Sequence, residues 1–300
     1  MKEVAAVKTR QASSYGKSNR TRWACCALLC MLALLMASAS FAEAATLNLC
    51  FKVESEPVTG AQFKIYHVAD WDGGNFALRG SFAHIPADMN DLDSEGWRAL
   101  ANTLSAYAAR DAIAPDYTAT TDEEGRLTVE GLNLGLYLAV GESILQDGRV
   151  FHPQPTLVAL PARNSQGEWS TEVSADIKES IPEQGVINLT VMKIWQDGGS
   201  SERPAEITVE LFGDGMAFDT VKLNKDNSWR YTWRNLDAQT TWQAVEAVVP
   251  DGYTVKIERE ENIITITTIM MTSAAAAVTT TSITIIMLMR YFPAGVLRPS

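Results

Sequence analysis

Cysteine is scarce in this chain: four residues in 300, at Cys25, Cys26, Cys30 and Cys50. The first three fall inside an N-terminal addressing segment. Beyond it Cys50 stands alone, so no intramolecular disulfide can form there. Cys50 lies in the alternating run TLNLCFKV. Two readings are open, a packed strand cysteine and a reactive thiol, and the first is preferred. Histidine is almost as rare. His67, His84 and His152 are the only three, and none is near a cysteine or a G-x-S-x-G elbow, which excludes a recognisable hydrolytic triad. There is no Gly-rich phosphate loop and no dinucleotide fingerprint. Asp88, Asp91, Asp93 and Glu95 cluster, but without the glycine and distal Glu of an EF-hand. They read as a solvated, helix-capping face. No enzyme activity, cofactor or metal is expected.

Basic charge is also short. Six of the 25 Lys and Arg lie in residues 1–44 and two in 270–300, leaving 17 between. Of the 36 acids, only Glu3 and Glu43 lie outside that middle part, which therefore holds 34. A net charge of about −17 there argues against nucleic acid and against an anionic membrane surface. It suits an extracellular domain.

What is present divides the chain. Residues 1–44 read as a secretory signal peptide. Lys2, Lys8, Arg10, Lys17, Arg20 and Arg22 are basic, Trp23 to Ala37 are apolar, and Ser40-Phe41-Ala42 and Ala42-Glu43-Ala44 are small-residue cleavage sites. The apolar stretch is shorter than the roughly 20 residues of a membrane span. Cleavage is expected to leave a mature chain starting near Glu43 or Ala45. Residues 45–179 alternate as strands in TLNLCFKV, GAQFKIYHVAD, RLTVEGL, GLYLAVGE, FHPQPTLVALP and EWSTEVSADIK. One helix interrupts them over 93–110, where Trp97, Leu100, Leu104 and Tyr107 share a face. Asp93 or Ser94 can cap it, and the face is expected to pack on this first domain. Residues 180–186 read as a linker stiffened by Pro182.

Residues 187–268 are the most regular stretch. VMKIWQD, EITVELFGDG, DNSWRYTW, AVEAVVPDGYTV and IITIT alternate over five to eight positions and stop at Gly, Asp or Asn turns. Seven short strands are expected, enough for a small Ig-like sandwich. Here the residues carry a resemblance. Lys-x-Trp-x-Asp, Arg-Pro, Ile-Thr-Val-x-Leu, Asn-x-Trp-x-Tyr and Val-x-x-x-x-Pro-x-Gly-Tyr-Thr-Val resemble the Cna-type B domains of Gram-positive surface adhesins and pilins. The first domain is similar, more loosely, to pilin-type sandwiches. The fold class expected is therefore all-β: two tandem Ig-like or prealbumin-like sandwiches, the first with one inserted helix.

The resemblance implies a secreted, non-enzymatic, cell-surface or cell-wall structural protein, a pilin or adhesin-stalk subunit. Its partners would be other pilin or surface subunits, or a host or matrix ligand. An extracellular carbohydrate- or peptide-binding module is the alternative. Trp195, Trp229, Trp233 and Trp242 could be taken for a sugar platform, but they read better as core.

The resemblance also implies isopeptide chemistry: a buried Lys, an Asn or Asp electrophile, and a buried acid. In the second domain Lys193 matches the amine and Glu246 the acid. Thr268 stands where the electrophilic Asn should be, so no bond is expected as the sequence is written. In the first domain Lys52, Glu142 and Asp176 are the candidates for amine, acid and electrophile, with ordinary surface charges as the other reading. Residues 269–300 change composition abruptly, to Met, Thr and Ala with no acid. They contain no LPxTG-like sorting motif. A shifted reading frame at the 3′ end of the gene is one account, and a divergent, disordered or loosely membrane-associated tail is the other.

Overall fold

Alternation along each strand dictates how the sheets stack. The structure, a computed structural model, describes residues 44–90, 92–180, 185–200 and 203–271. The expected signal peptide, most of the expected linker and the tail beyond Met271 lie outside the described residues. No described helix is long and apolar enough to cross a membrane.

In the first domain, β1 (Ala45–Val53) places Ala45, Leu47, Leu49 and Phe51 inward, each at most 1% exposed. It pairs antiparallel with β3 (Arg126–Leu132) and parallel with β6 (Glu172–Ile177). The facing sheet centres on β2 (Gln62–Trp71) and β4 (Gly135–Gly141), with β5 (Thr156–Leu160) beside β4. A short strand, Tyr117–Thr120, pairs with β2. Between the sheets Phe51 and Phe63 meet edge to face at 6.1 Å.

The second domain has seven strands among the described residues, as its punctuation predicts. Four form one sheet in the order β10 (Arg230–Asp237), β7 (Val186–Gln196), β13 (Ile263–Met270) and β12 (Tyr253–Glu260). Three form the other: β9 (Met216–Asn224), β8 (Glu206–Gly213) and β11 (Trp242–Glu246). The opening strand lies parallel to the closing one, β7 beside β13, just as β1 lies beside β6. This shared device places first-strand and last-strand side chains in lateral contact. Trp233 and Trp242 are buried. Trp195 and Trp229 are half-buried and meet edge to face at 5.6 Å. All four pack as core does.

The inserted helix α1 spans Ser94–Arg110. Asp93 is its cap, its side chain accepting from the Gly96 amide at 2.8 Å. Its packing differs from the one-sided docking read from the sequence. Residues 99–101 and 103–108 are all buried. So broad a buried run means cover on more than one face. The helix touches β4 and β5 of the first sandwich and, more extensively, β11 and β12 of the second. Thr103 Oγ1 accepts from the Ile257 amide at 2.9 Å, and Pro86 O accepts from the Val255 amide at 2.7 Å. These two bonds satisfy outward donors of β12, an edge strand that would otherwise offer an open pairing template. Gln243 donates to Ser105 Oγ at 2.6 Å. One apolar cluster therefore runs from Tyr66 and Leu138 through Leu104 to Leu189 and Ile257. Leu104 is fully buried at its centre. Leu104→Ala is expected to lower unfolding free energy by about 2–5 kcal/mol. Denaturant titration checks this, and a loss under about 0.5 kcal/mol would mean an uncovered face.

Candidate functional site

Along β7 the inward series is Ile187, Leu189, Val191 and then Lys193. An ammonium thus occupies a position the alternation reserves for an apolar side chain. Along β13 the inward series is Ile264, Ile266 and Thr268. The parallel register sets Lys193 beside Ile266 and Trp195 beside Thr268, so Lys193 and Thr268 are diagonal neighbours. Glu246 ends β11 on the facing sheet, opposite Val209. Three polar side chains from three strands converge inside the second sandwich.

All three are deeply buried. The Lys193 and Glu246 side chains are 0% exposed, and Thr268 is 0% exposed. Lys193 Nζ lies 3.4 Å from Glu246 Oε2. Thr268 Oγ1 donates to Glu246 Oε2 at 3.1 Å and accepts from Lys193 Nζ. Nζ also sits 4.1 Å from the centre of the Trp195 ring. Burial pulls the Lys193 amine down from 10.5 to about 8, against the pull of Glu246. Burial likewise pushes the Glu246 carboxyl up, with Lys193 and the Thr268 hydroxyl opposing. One dry pocket thus moves both groups toward their neutral forms. A neutral amine is a nucleophile and a protonated carboxyl can hand a proton to a carbonyl. The third position offers only a hydroxyl and a methyl, and neither can acylate an amine.

The first-domain candidates are not brought together. Lys52 and Asp176 are both exposed, on the outward faces of β1 and β6. Glu142 lies past the end of β4 and pairs with Lys64 at 3.0 Å, both about half exposed. The reason is the period of two. On β1 the inward positions are the odd ones, 45 to 51, so Lys52 points outward. These residues lie on the surface and form no buried trio.

The sequence pattern of the Cna protein B-type domain matches residues 189–269. Over that stretch the second sandwich is similar to Cna B-type domains. The B domain so defined includes Lys193, Glu246 and Thr268. A relative, the collagen adhesin of Staphylococcus aureus, is 31% identical over 102 residues. That match covers 31% of this chain and 9% of the adhesin, so the chain spans about a tenth of that relative's length. Among solved structures, a single B repeat of the collagen-binding surface protein of Staphylococcus aureus shares 15% identity. It covers 76% of this chain and 98% of the repeat, at a TM-score of 0.28. The shaft pilin SpaA of Lactobacillus rhamnosus GG shares 15%, with the same coverage and a TM-score of 0.27. The major pilin SpaD of Corynebacterium diphtheriae shares 12%, covering 78% of this chain and 99% of SpaD, at 0.30. The sequence match alone carries the likeness of the second sandwich to Cna B-type domains.

Reading by motif missed the residues that reach the B domain from the helix. Arg110 donates to the main-chain oxygens of Glu246 and Ala247, at 3.3 Å each. The one signal was Arg110 itself, a long cation in the last turn of the helix, just after the buried run 103–108.

Proposed function

We propose that this chain is a structural segment of a Gram-positive cell-surface protein, a pilin or adhesin-stalk subunit without enzymatic activity. The observation that carries the reading is the Cna B-type match over 189–269. The helix that joins this domain to the sandwich before it supports it, because a joint bonded on both sides resists bending. The arrangement of 45–179 as one domain and 187–268 as the next belongs to this proposal, as does export by the N-terminal segment. Its partners are other surface subunits or a matrix ligand. The name of the S. aureus relative specifies collagen, and for this chain collagen is one matrix candidate. Within the B domain, Lys193, Glu246 and Thr268 form an isopeptide pocket whose electrophile has been replaced.

Cell fractionation tests the assignment. The protein should be found in the wall or medium fraction, with an N-terminus near Glu43 or Ala45. A high-mass ladder would identify a polymerised subunit, and a single band an unpolymerised one. A cytoplasmic protein that retains Met1 would overturn the proposal.

A further inference from the structure

The pocket acid lies in the second sandwich, but part of what holds it belongs to the first. Glu246 is the last residue of β11. On one side β11 is bonded to β8, and just past its end the Ala247 amide donates to Thr208 O at 2.9 Å. On the other side, the last turn of α1 covers it. Arg110 Nη1 is 3.3 Å from both Glu246 O and Ala247 O. The guanidinium is itself fixed in place. Its Nε and Nη2 donate to the Asp111 carboxylate at 2.7 and 3.0 Å, and its plane covers the Tyr107 ring at 4.2 Å. The side chain is only 16% exposed. A charged donor strengthens its bonds to these part-buried acceptors, so this clamp holds the end of the β11 main chain.

Two further atoms point the same way. Glu246 Oε1 and Tyr107 Oη are both buried without a hydrogen-bond partner. The Tyr107 hydroxyl is pushed up to about 12, chiefly by burial, and the charge of Glu246 adds to the rise. The buried acid of the B domain thus lies within electrostatic reach of the last turn of the first-domain helix, whose Arg110 touches its main chain.

We propose that Arg110 is a positioning residue for Glu246, so that the isopeptide pocket of the B domain assembles fully only when the first sandwich and its helix are docked. This rests on reading Lys193, Glu246 and position 268 as that pocket. Covalent closure in such a chain would be coupled to docking between domains. A B domain that had not yet met its neighbour would hold its acid loosely and react slowly.

The test uses the full chain carrying Thr268→Asn, which supplies an electrophile. In the reaction Lys193 Nζ bonds to the Cγ of the introduced carboxamide, the Cγ–Nδ2 bond breaks, and ammonia leaves. Glu246 lends a proton to the carbonyl, recovers one from the amine, and relays the hydroxyl proton of the tetrahedral adduct to the departing nitrogen as the carbonyl re-forms. The rate of ammonia loss is read by intact mass after dilution from denaturant, with the folded fraction measured in parallel. Arg110→Met keeps the packing stem over Tyr107 but removes the donors. It should slow ammonia loss per folded molecule by about 10–100-fold, since small misplacements are costly in proximity-driven reactions. Arg110→Lys keeps one donor and should fall in between. Ser105→Ala breaks another helix–B-domain bond away from Glu246 and should react at the parental rate. Parental rates in Arg110→Met would overturn the proposal while leaving the pocket reading intact. A slowing by Ser105→Ala equal to that of Arg110→Met would also overturn it, by assigning the effect to docking in general. If the Thr268→Asn chain folds without losing ammonia, the pocket reading falls and this proposal falls with it.

Discussion

Glu246→Ala alone should destabilise the B domain by about 3–5 kcal/mol, because it leaves the Lys193 amine buried and unpaired. Replacing both partners, as in Lys193→Met with Glu246→Leu, should fall within about 1–2 kcal/mol of the parent, in either direction. The contrast follows from burial: both side chains are 0% exposed, and Nζ and Oε2 are 3.4 Å apart. Desolvation of two charges offsets most of their attraction, but removing one partner leaves the penalty of the other uncompensated. The pair should also leave a mark in pH dependence. The folded Lys193 amine titrates at about 8 and the unfolded one at its ordinary 10.5. Between these values the unfolded chain holds a proton that the folded chain has lost, so this group makes stability rise with pH through that window. Glu246 acts in the opposite sense. Its folded carboxyl is raised above 4.5, so its contribution is fully present below 4.5 and is lost as pH rises through the folded value. Urea titrations of parent and double variant from about pH 4 to about pH 10.5 should show both slopes in the parent and neither in the double variant. A double variant as damaged as Glu246→Ala would mean that the pair is not a self-contained unit.

Much of this pocket was legible in the sequence. Lys193 and Glu246 were legible through the resemblance of their strand motifs to Cna-type B domains, and Lys193 also falls on an inward position of the alternating strand β7. Thr268 was singled out because the resemblance puts an Asn at that place after IITIT, and the parallel register does set it diagonally beside Lys193. The first domain was less legible. Its strands were readable, but a one-residue difference in parity separates Lys52 from an inward position, and motif spacing cannot settle parity. The helix shows a different limit. Its Trp97, Leu100, Leu104 and Tyr107 stripe announces one apolar face. The small residues Ala99, Thr103 and Ala106 cover another, and nothing local says that a second domain lies against it. Burial on both sides is a long-range fact, set by which neighbours the chain later provides.

The second large effect concerns Thr268. Its hydroxyl already touches both the amine and the acid, so an Asn carboxamide at the same position would place a carbonyl between them. Thr268→Asn should therefore form an amide between Lys193 and the introduced side chain, bridging a sequence separation of 75 residues. By analogy with a disulfide spanning such a loop, the cross-link should add about 4 kcal/mol. Glu246→Ala in that background should abolish the reaction, since no other acid is in contact with Lys193 Nζ among the described residues.

Intact mass under denaturing conditions is the most direct measurement of the central claim, that this B domain keeps an isopeptide pocket but has lost its electrophile. The unaltered chain should show the full mass of its processed sequence, and the Thr268→Asn chain should be lighter by one ammonia. Ammonia loss from the unaltered chain that requires Lys193 would contradict the claim, as would a folded Thr268→Asn chain that retains its full mass.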